Sequence, residues 1–246
     1  MTEILNSKLP DDLTDGKALP GMRPLADGQW LHVTDSYAGQ IGYRRQLIEQ
    51  QRDAVLWQEP SAMSAVQEVL DTALEAMPDI GFEVMPNGIR CPDGVTINKI
   101  TDAPLVVLGQ TLQEDICILE KRGDAHVLTA ALLCFPASWL LSEKAGHPLE
   151  RIHAPVDEYN EDIARRVNRL FDGVQVGRPL WRNNMIWYDD PDLFQPRSEM
   201  AGERKAPTPQ KAAFQRVERQ TIMRLPKTKA VVFSIHSYIV RAKEPT

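Results

Sequence analysis

Cysteine is scarce in this chain of 246 residues: Cys91, Cys117 and Cys134 are the only three, far apart and never in a C-x-x-C arrangement. That spacing argues against an iron–sulfur or structural zinc site built from this chain alone and points to a reducing compartment. Cys117 and Cys134 sit inside apolar runs and read as small buried hydrophobes. Long apolar runs are missing too. None approaches the roughly 20 residues of a membrane span, and the N-terminus MTEILNSKLPDDLTDGK has no apolar core of signal length. The expectation is a cytoplasmic protein with no membrane partner. Positive charge is the minority sign, with 28 Lys and Arg against 34 Asp and Glu and a net charge of −6. No basic run offsets that balance, so nucleic acid is not an expected partner. Also absent are a glycine-rich phosphate loop, G-x-S-x-G, H-E-x-x-H and any flavin or nicotinamide fingerprint. Redox chemistry on this chain would therefore draw its electrons from another protein.

What is present suffices for a substantial core: hydrophobic residues make up 43% and charged residues 25%. Residues 1–40, rich in Pro, Gly and Asp, read as an irregular arm draped over a domain spanning 41–246, with Trp30 a candidate anchor. Ile41, Leu47, Ile48, Val55 and Leu56 predict one helix over 41–58. A second helix follows Pro60, striped by Met63, Val66, Val69, Leu70, Ala73, Leu74 and Met77, and ends at Pro78. Ile89–Ile97 around Pro92-Asp93-Gly94 predicts a hairpin, and a short helix is expected over 103–112. Ile116–Glu120 and Val127–Phe135 predict the main hairpin. Leu180–Tyr188, Phe214–Leu225 and Ala230–Val240 supply further strands, and 191–213 reads as a mobile polar loop. The sum is α+β, with about five longer antiparallel strands covered by helices.

The chain's organising stretch is 135–174, centred on Arg151-Ile152-His153-Ala154-Pro155-Val156. Behind it, Ile163, Val167, Leu170, Phe171 and Val174 mark one face of a helix, with acids in its first turn and arginines later, as the helix dipole favours. A rigid, proline-stiffened loop delivers His153 to the edge of that helix. The residue could be an axial metal ligand, a general base or a hydrogen-bonded loop residue. His147 and His153 with Asp157 and Glu158 could in principle form a two-histidine, one-carboxylate iron site, although two prolines interrupt the spacing. His32 and His126 read as exposed and His236 as a core histidine. On a strand, Arg216, Glu218 and Gln220 point one way and Arg219 the other. Such a row is either a solvated charged face or the lining of a cavity, since burying it unpaired is costly. Trp181-Arg182-Asn183-Asn184 adds an arginine and amides on a second strand. Haem, with propionates that need cations and a flat ring that needs apolar walls, suits such a set.

The segments EDICILEKRGDAHVLTAALLCFPASWLLSEKAGHPLERIHAPV, RNNM and RVERQTIMRLPKTKAVVFSIHSYIV resemble the haem-dependent oxidative N-demethylase, alpha-subunit-like family over residues 40–241. The resemblance implies a PAS-like fold that binds haem b. It implies oxidative demethylation of a small methylated amine with O2 and release of formaldehyde. Electrons would come from NADPH through FMN and an iron–sulfur centre on partner reductase or ferredoxin-type subunits. Carried over by position, I-H-x-P-V places the iron ligand at His153. Arg182, Asn184, Arg216, Arg219 and Gln220 match segments that hold the haem or line its pocket, and Glu218 is the candidate catalytic group. The chain departs from the family pattern at Met185 and Asp157. The alternative reading is a PAS-like module that binds haem or a small ligand without turnover.

Overall fold

A computed structural model describes residues 3–13, 21–153, 161–202 and 204–242, with the backbone alone for 161–164. In chain order the elements are β1 (Arg23–Pro24), α1 (Tyr37–Gln50), α2 (Arg52–Val55), β2 (Leu56–Gln58) and α3 (Met63–Ala76). Then come β3 (Glu83–Val84), β4 (Gly88–Arg90), β5 (Thr96–Asn98), α4 (Pro104–Thr111), β6 (Asp115–Arg122) and β7 (Ala125–Leu132). The second half holds α5 (Leu141–Lys144), α6 (Leu149–His153), α7 (Glu161–Gly173), β8 (Leu180–Tyr188), β9 (Phe214–Arg224) and β10 (Val231–Arg241).

Among the described residues the fold is α+β, built on a seven-stranded antiparallel sheet in the order β1-β8-β9-β10-β6-β7-β2. The sequence predicts about five strands, and the five long ones, β6 to β10, form the centre. Two short strands flank them, β1 from the arm and β2 from a segment expected to be helical. The helix of 41–58 in fact ends at Gln50, and Leu56–Gln58 pair with Leu132–Ala130 of β7. Period-seven spacing alone could not separate a continuing helix from a three-residue edge strand. β3, β4 and β5 make a separate small sheet, so the predicted hairpin gains a third strand.

Each face of the large sheet has its own cover. One face, which carries Ile116, Ile118, Ala130, Leu132, Val217, Val232 and Tyr238, packs on α1, α3, α4 and the arm. α4 lies so close that a Cβ on Gly109 would stand 2.5 Å from Ile48 Cδ1 and 2.8 Å from Leu132 Cδ1. The opposite face carries Cys117, Leu119, Ala131, Leu133, Ile222, Val231 and Phe233. It packs on Leu141 of α5, Leu149 and Ile152 of α6, and Val167, Leu170 and Phe171 of α7. All three cysteines are buried and free. The arm is stitched across the first face. Trp30 Nε1 donates to Ser234 Oγ at 3.0 Å, and Asn6 bonds both backbone groups of Ile239.

Candidate functional site

Cross-strand register decides which predicted residues meet. On β8 and β9, Arg182 stands opposite Gln220, Asn184 opposite Glu218 and Ile186 opposite Arg216. Residues directly opposite in an antiparallel pair share a face, so the six side chains form one patch. Ile235, Ser237 and Ile239 of β10 continue it. The face is the one covered by α5, α6 and α7, and alternation along each strand leads from the polar patch straight into Ile222 and Phe233 of that apolar layer. Arg182, Asn184, Ile186, Gln220 and Phe233 are only half-buried there, while Glu218 and Arg216 are buried. The row therefore lies on a partly open stretch of an otherwise covered sheet face.

Within the row the arginines differ. Arg216 is 1% exposed and already committed: its guanidinium donates to Leu193 O and Ser237 Oγ, each at 3.1 Å, and to Phe135 O. It also pairs with Glu218 Oε1 at 3.2 Å. The other carboxylate oxygen of Glu218 accepts from Gln220 Nε2 at 3.2 Å. Glu218 is thus held from both sides, an acceptor fixed in place before any ligand arrives. A buried Nε without a hydrogen-bond partner among the described residues is common to Arg182, Arg216 and Arg219, but the terminal nitrogens of Arg216 and Arg219 are engaged. Arg182 is the arginine with capacity left, and burial pulls its guanidinium's pKa below the usual value against the opposing pull of Glu218.

Arg219 does not join this row. It stands opposite Asn183 and His236 on the other face, donating to Gln29 O at 2.6 Å and Trp30 O at 3.4 Å, with its guanidinium 5.0 Å from the Trp181 ring. It holds the arm. The same face buries a cluster that sequence reasoning missed. Glu114 accepts from His32 N at 3.0 Å and sits 2.9 Å from His236 Nδ1, and His236 stacks on Tyr238 at 4.5 Å between ring centroids. His236 is the core histidine expected. His32 is half-buried rather than exposed. His126, also read as exposed, is 1% exposed and packs on Phe171. Both were read from polar sequence neighbours, which say nothing about packing across the sheet.

His153 lies in a helix, α6, as the last residue described before 161, rather than riding a loop, and it is half-buried. Its Nδ1 lies 2.9 Å from the Leu149 carbonyl, one turn back. Donation to that oxygen fixes the tautomer with the proton on Nδ1 and the lone pair on Nε2. Burial lowers the imidazole's pKa, Lys144 adds to the shift, and the neutral form is favoured. Pro155, Asp157 and Glu158 lie outside the described residues. Among those described, no group of three His, Cys, Asp or Glu could hold a metal ion. The segment after β8, read as a mobile loop, is instead pinned. Leu193 is 1% exposed, Ser138 N donates to Gln195 O at 3.0 Å, and Glu199 pairs with Lys144 and Arg151.

Apolar side chains on the helical layer (Ile152, Val167, Leu170) and the sheet (Phe233) are half-buried beside the polar row. Half-buried apolar side chains, a cation with an unused N–H and a helix bearing an oriented imidazole thus belong to the same side of the sheet. The donor set suits haem, whose ring needs apolar walls, whose propionates need cations and whose iron takes an imidazole. The family described as haem-dependent oxidative N-demethylase, alpha subunit-like, matches residues 21–245, nearly the whole chain, and the chain belongs to it. No helix among the described residues is long and apolar enough to cross a membrane.

Proposed function

We propose that the protein binds haem b between α6–α7 and the sheet face of β8 and β9, and serves as the haem-bearing subunit of an oxidative N-demethylase acting on a small methylated amine. The register that puts Arg182, Asn184, Glu218 and Gln220 on the face under the helices of His153 carries the reading. His153, oriented through Leu149 O, is the residue to hold the iron. Arg182, with its unused Nε, is the residue to meet a propionate, and Asn184 beside it offers amide donors. When bound, haem supplies the redox chemistry and O2 activation needed to oxidise an N-methyl group, releasing formaldehyde. Glu218, fixed by Arg216 and Gln220, presents a carboxylate to a cationic amine. The family's description as an alpha subunit supports further subunits, for which NADPH, FMN and iron–sulfur carriers on a reductase partner are the fitting chemistry. In this reading, the cofactor role assigned to Arg219 by sequence gives way to arm-holding, and Arg216 acts on Glu218 rather than on a propionate.

One observation favours the second reading, a haem-binding module without turnover: the Glu218 charge is already matched by buried Arg216. Spectra and kinetics separate the two. Protein expressed with iron and haem precursor should show a stoichiometric Soret band that shifts with dithionite and carbon monoxide. His153→Ala should abolish it, and Arg182→Ala should weaken haem affinity about 10- to 100-fold, the worth of a charge-assisted hydrogen bond. Arg219→Ala should leave affinity unchanged. An unaltered Soret band in His153→Ala would sink the assignment. Formaldehyde release that is lost in Glu218→Gln while haem is kept supports the enzyme, and haem binding with no release in the wild type supports the module.

A further inference from the structure

The buried lysine of α5 has entered so far only as a charge near His153 and as a partner of Glu199. Lys144 is 5% exposed, and its ammonium donates to Ile152 O at 2.6 Å, the carbonyl immediately before His153, and to Glu199. Glu199 also receives Arg151 of α6 at 3.1 Å. Its own backbone N–H donates to Glu143 of α5 at 3.0 Å, and Ser198 Oγ donates to the same carboxylate at 2.6 Å. Two adjacent residues of α5 therefore grip one short segment, 198–199, while that segment grips α6. At its other end the same stretch is tied down through Leu193 O to Arg216, the residue that holds Glu218. Gln195 bonds Pro136 and Ser138 in between.

A buried ammonium is costly unless its donors are satisfied. Here a carboxylate and a carbonyl do so. The carbonyl belongs to Ile152 in α6, directly before His153. Among the described residues, the polar contacts made to α6 from outside it include Lys144 to Ile152 O, one residue from the imidazole, and Glu199 to Arg151.

We propose that Lys144 and Glu199 are positioning residues that fix α6, and with it the His153 imidazole, and that the strap from Leu193 to Glu199 links this end of the site to the Arg216–Glu218 end. The role assigned to His153 rests on the haem reading; the clamp itself does not. Amide hydrogen exchange of the haem-free protein tests the clamp. Lys144→Met should speed exchange at Ile152 and His153 about tenfold or more, the loss expected for a hydrogen bond to a charged group, while β9 and β10 stay protected. Lys144→Arg should restore most of the protection. Glu199→Gln, which keeps the lysine, should give a smaller rise and covers the case in which Lys144→Met does not fold. In haem-loaded protein, the same variants should shift the iron–histidine stretching band and release haem faster. Unchanged exchange at Ile152 and His153 in both variants overturns the clamp. Faster exchange with unaltered iron–histidine stretching and haem release overturns its role in positioning the ligand. A wild type with no Soret band removes the haem reading and leaves the exchange result to decide the clamp alone.

Discussion

Arg44 is fully buried in α1, on the helical face that also carries Ile41 and Ile48. Its guanidinium meets Asp115 Oδ1 at 2.7 Å, Glu114 O at 2.8 Å and Gln113 O at 3.2 Å, while Asp115 also accepts from Cys134 N and Phe135 N. This pair ties the first helix to the start of β6 and the end of β7. Arg44→Met removes one partner and strands the carboxylate, so unfolding in urea at neutral pH should show a loss of about 3–5 kcal/mol. An arginine inside an apolar stripe was visible in the sequence, but its partner 71 residues away was not. Gly109 shows the same limit. Nothing in PLVVLGQT marks it as the contact point of α4 with α1 and β7, yet a Cβ there would overlap Ile48 and Leu132. Gly109→Ala should cost about 1–3 kcal/mol through overpacking, outweighing the better helix propensity of alanine. A thermal melt unchanged or raised in this variant would contradict the close approach.

At the scale of elements, the arm is the part most open to pH. His32 faces Arg219 from β9, Glu114 before β6 and His236 from β10; Tyr238 lies behind His236, and Asp12 of the arm acts on Arg219 and Tyr238. Burial, then Arg219, lowers its pKa from 6.5 to about 4 against the opposing pull of Glu114. With the folded value depressed, the undocked arm takes up the proton first. Docking is full above about pH 6.5 and weakens by up to tenfold per pH unit down to about 4. Glu114 is raised by burial, but His236, then His32, hold it below the usual carboxylate value. Its contribution is lost at lower pH still. Trp30 fluorescence or limited proteolysis across pH 7 to 4 should follow the change, and His32→Gln should flatten it in that window. The sequence placed Trp30 as an anchor from its isolation in a polar arm. It could not show that the arm's carbonyls would claim Arg219.

For the whole molecule, the five long strands and the longer helices were legible: alternation marked β9 and β10, a nearly unbroken apolar run marked β7, and stripes of 3.6-residue period marked α3 and α7. The edge strands were not, since two or three residues carry no period and owe their form to the neighbouring strand. Within the site, alternation along β9 already separated Arg216, Glu218 and Gln220 from Arg219. The partnership with Arg182 and Asn184 needed the register between β8 and β9, which no single sequence displays. β9 thus serves two chambers at once, its even positions turned toward the proposed ligand and its odd positions toward the arm. Substitution can therefore retune one chamber while sparing the other. Insertion or deletion of a single residue in this strand would exchange the two sets, so length in β9 is under far tighter constraint than composition.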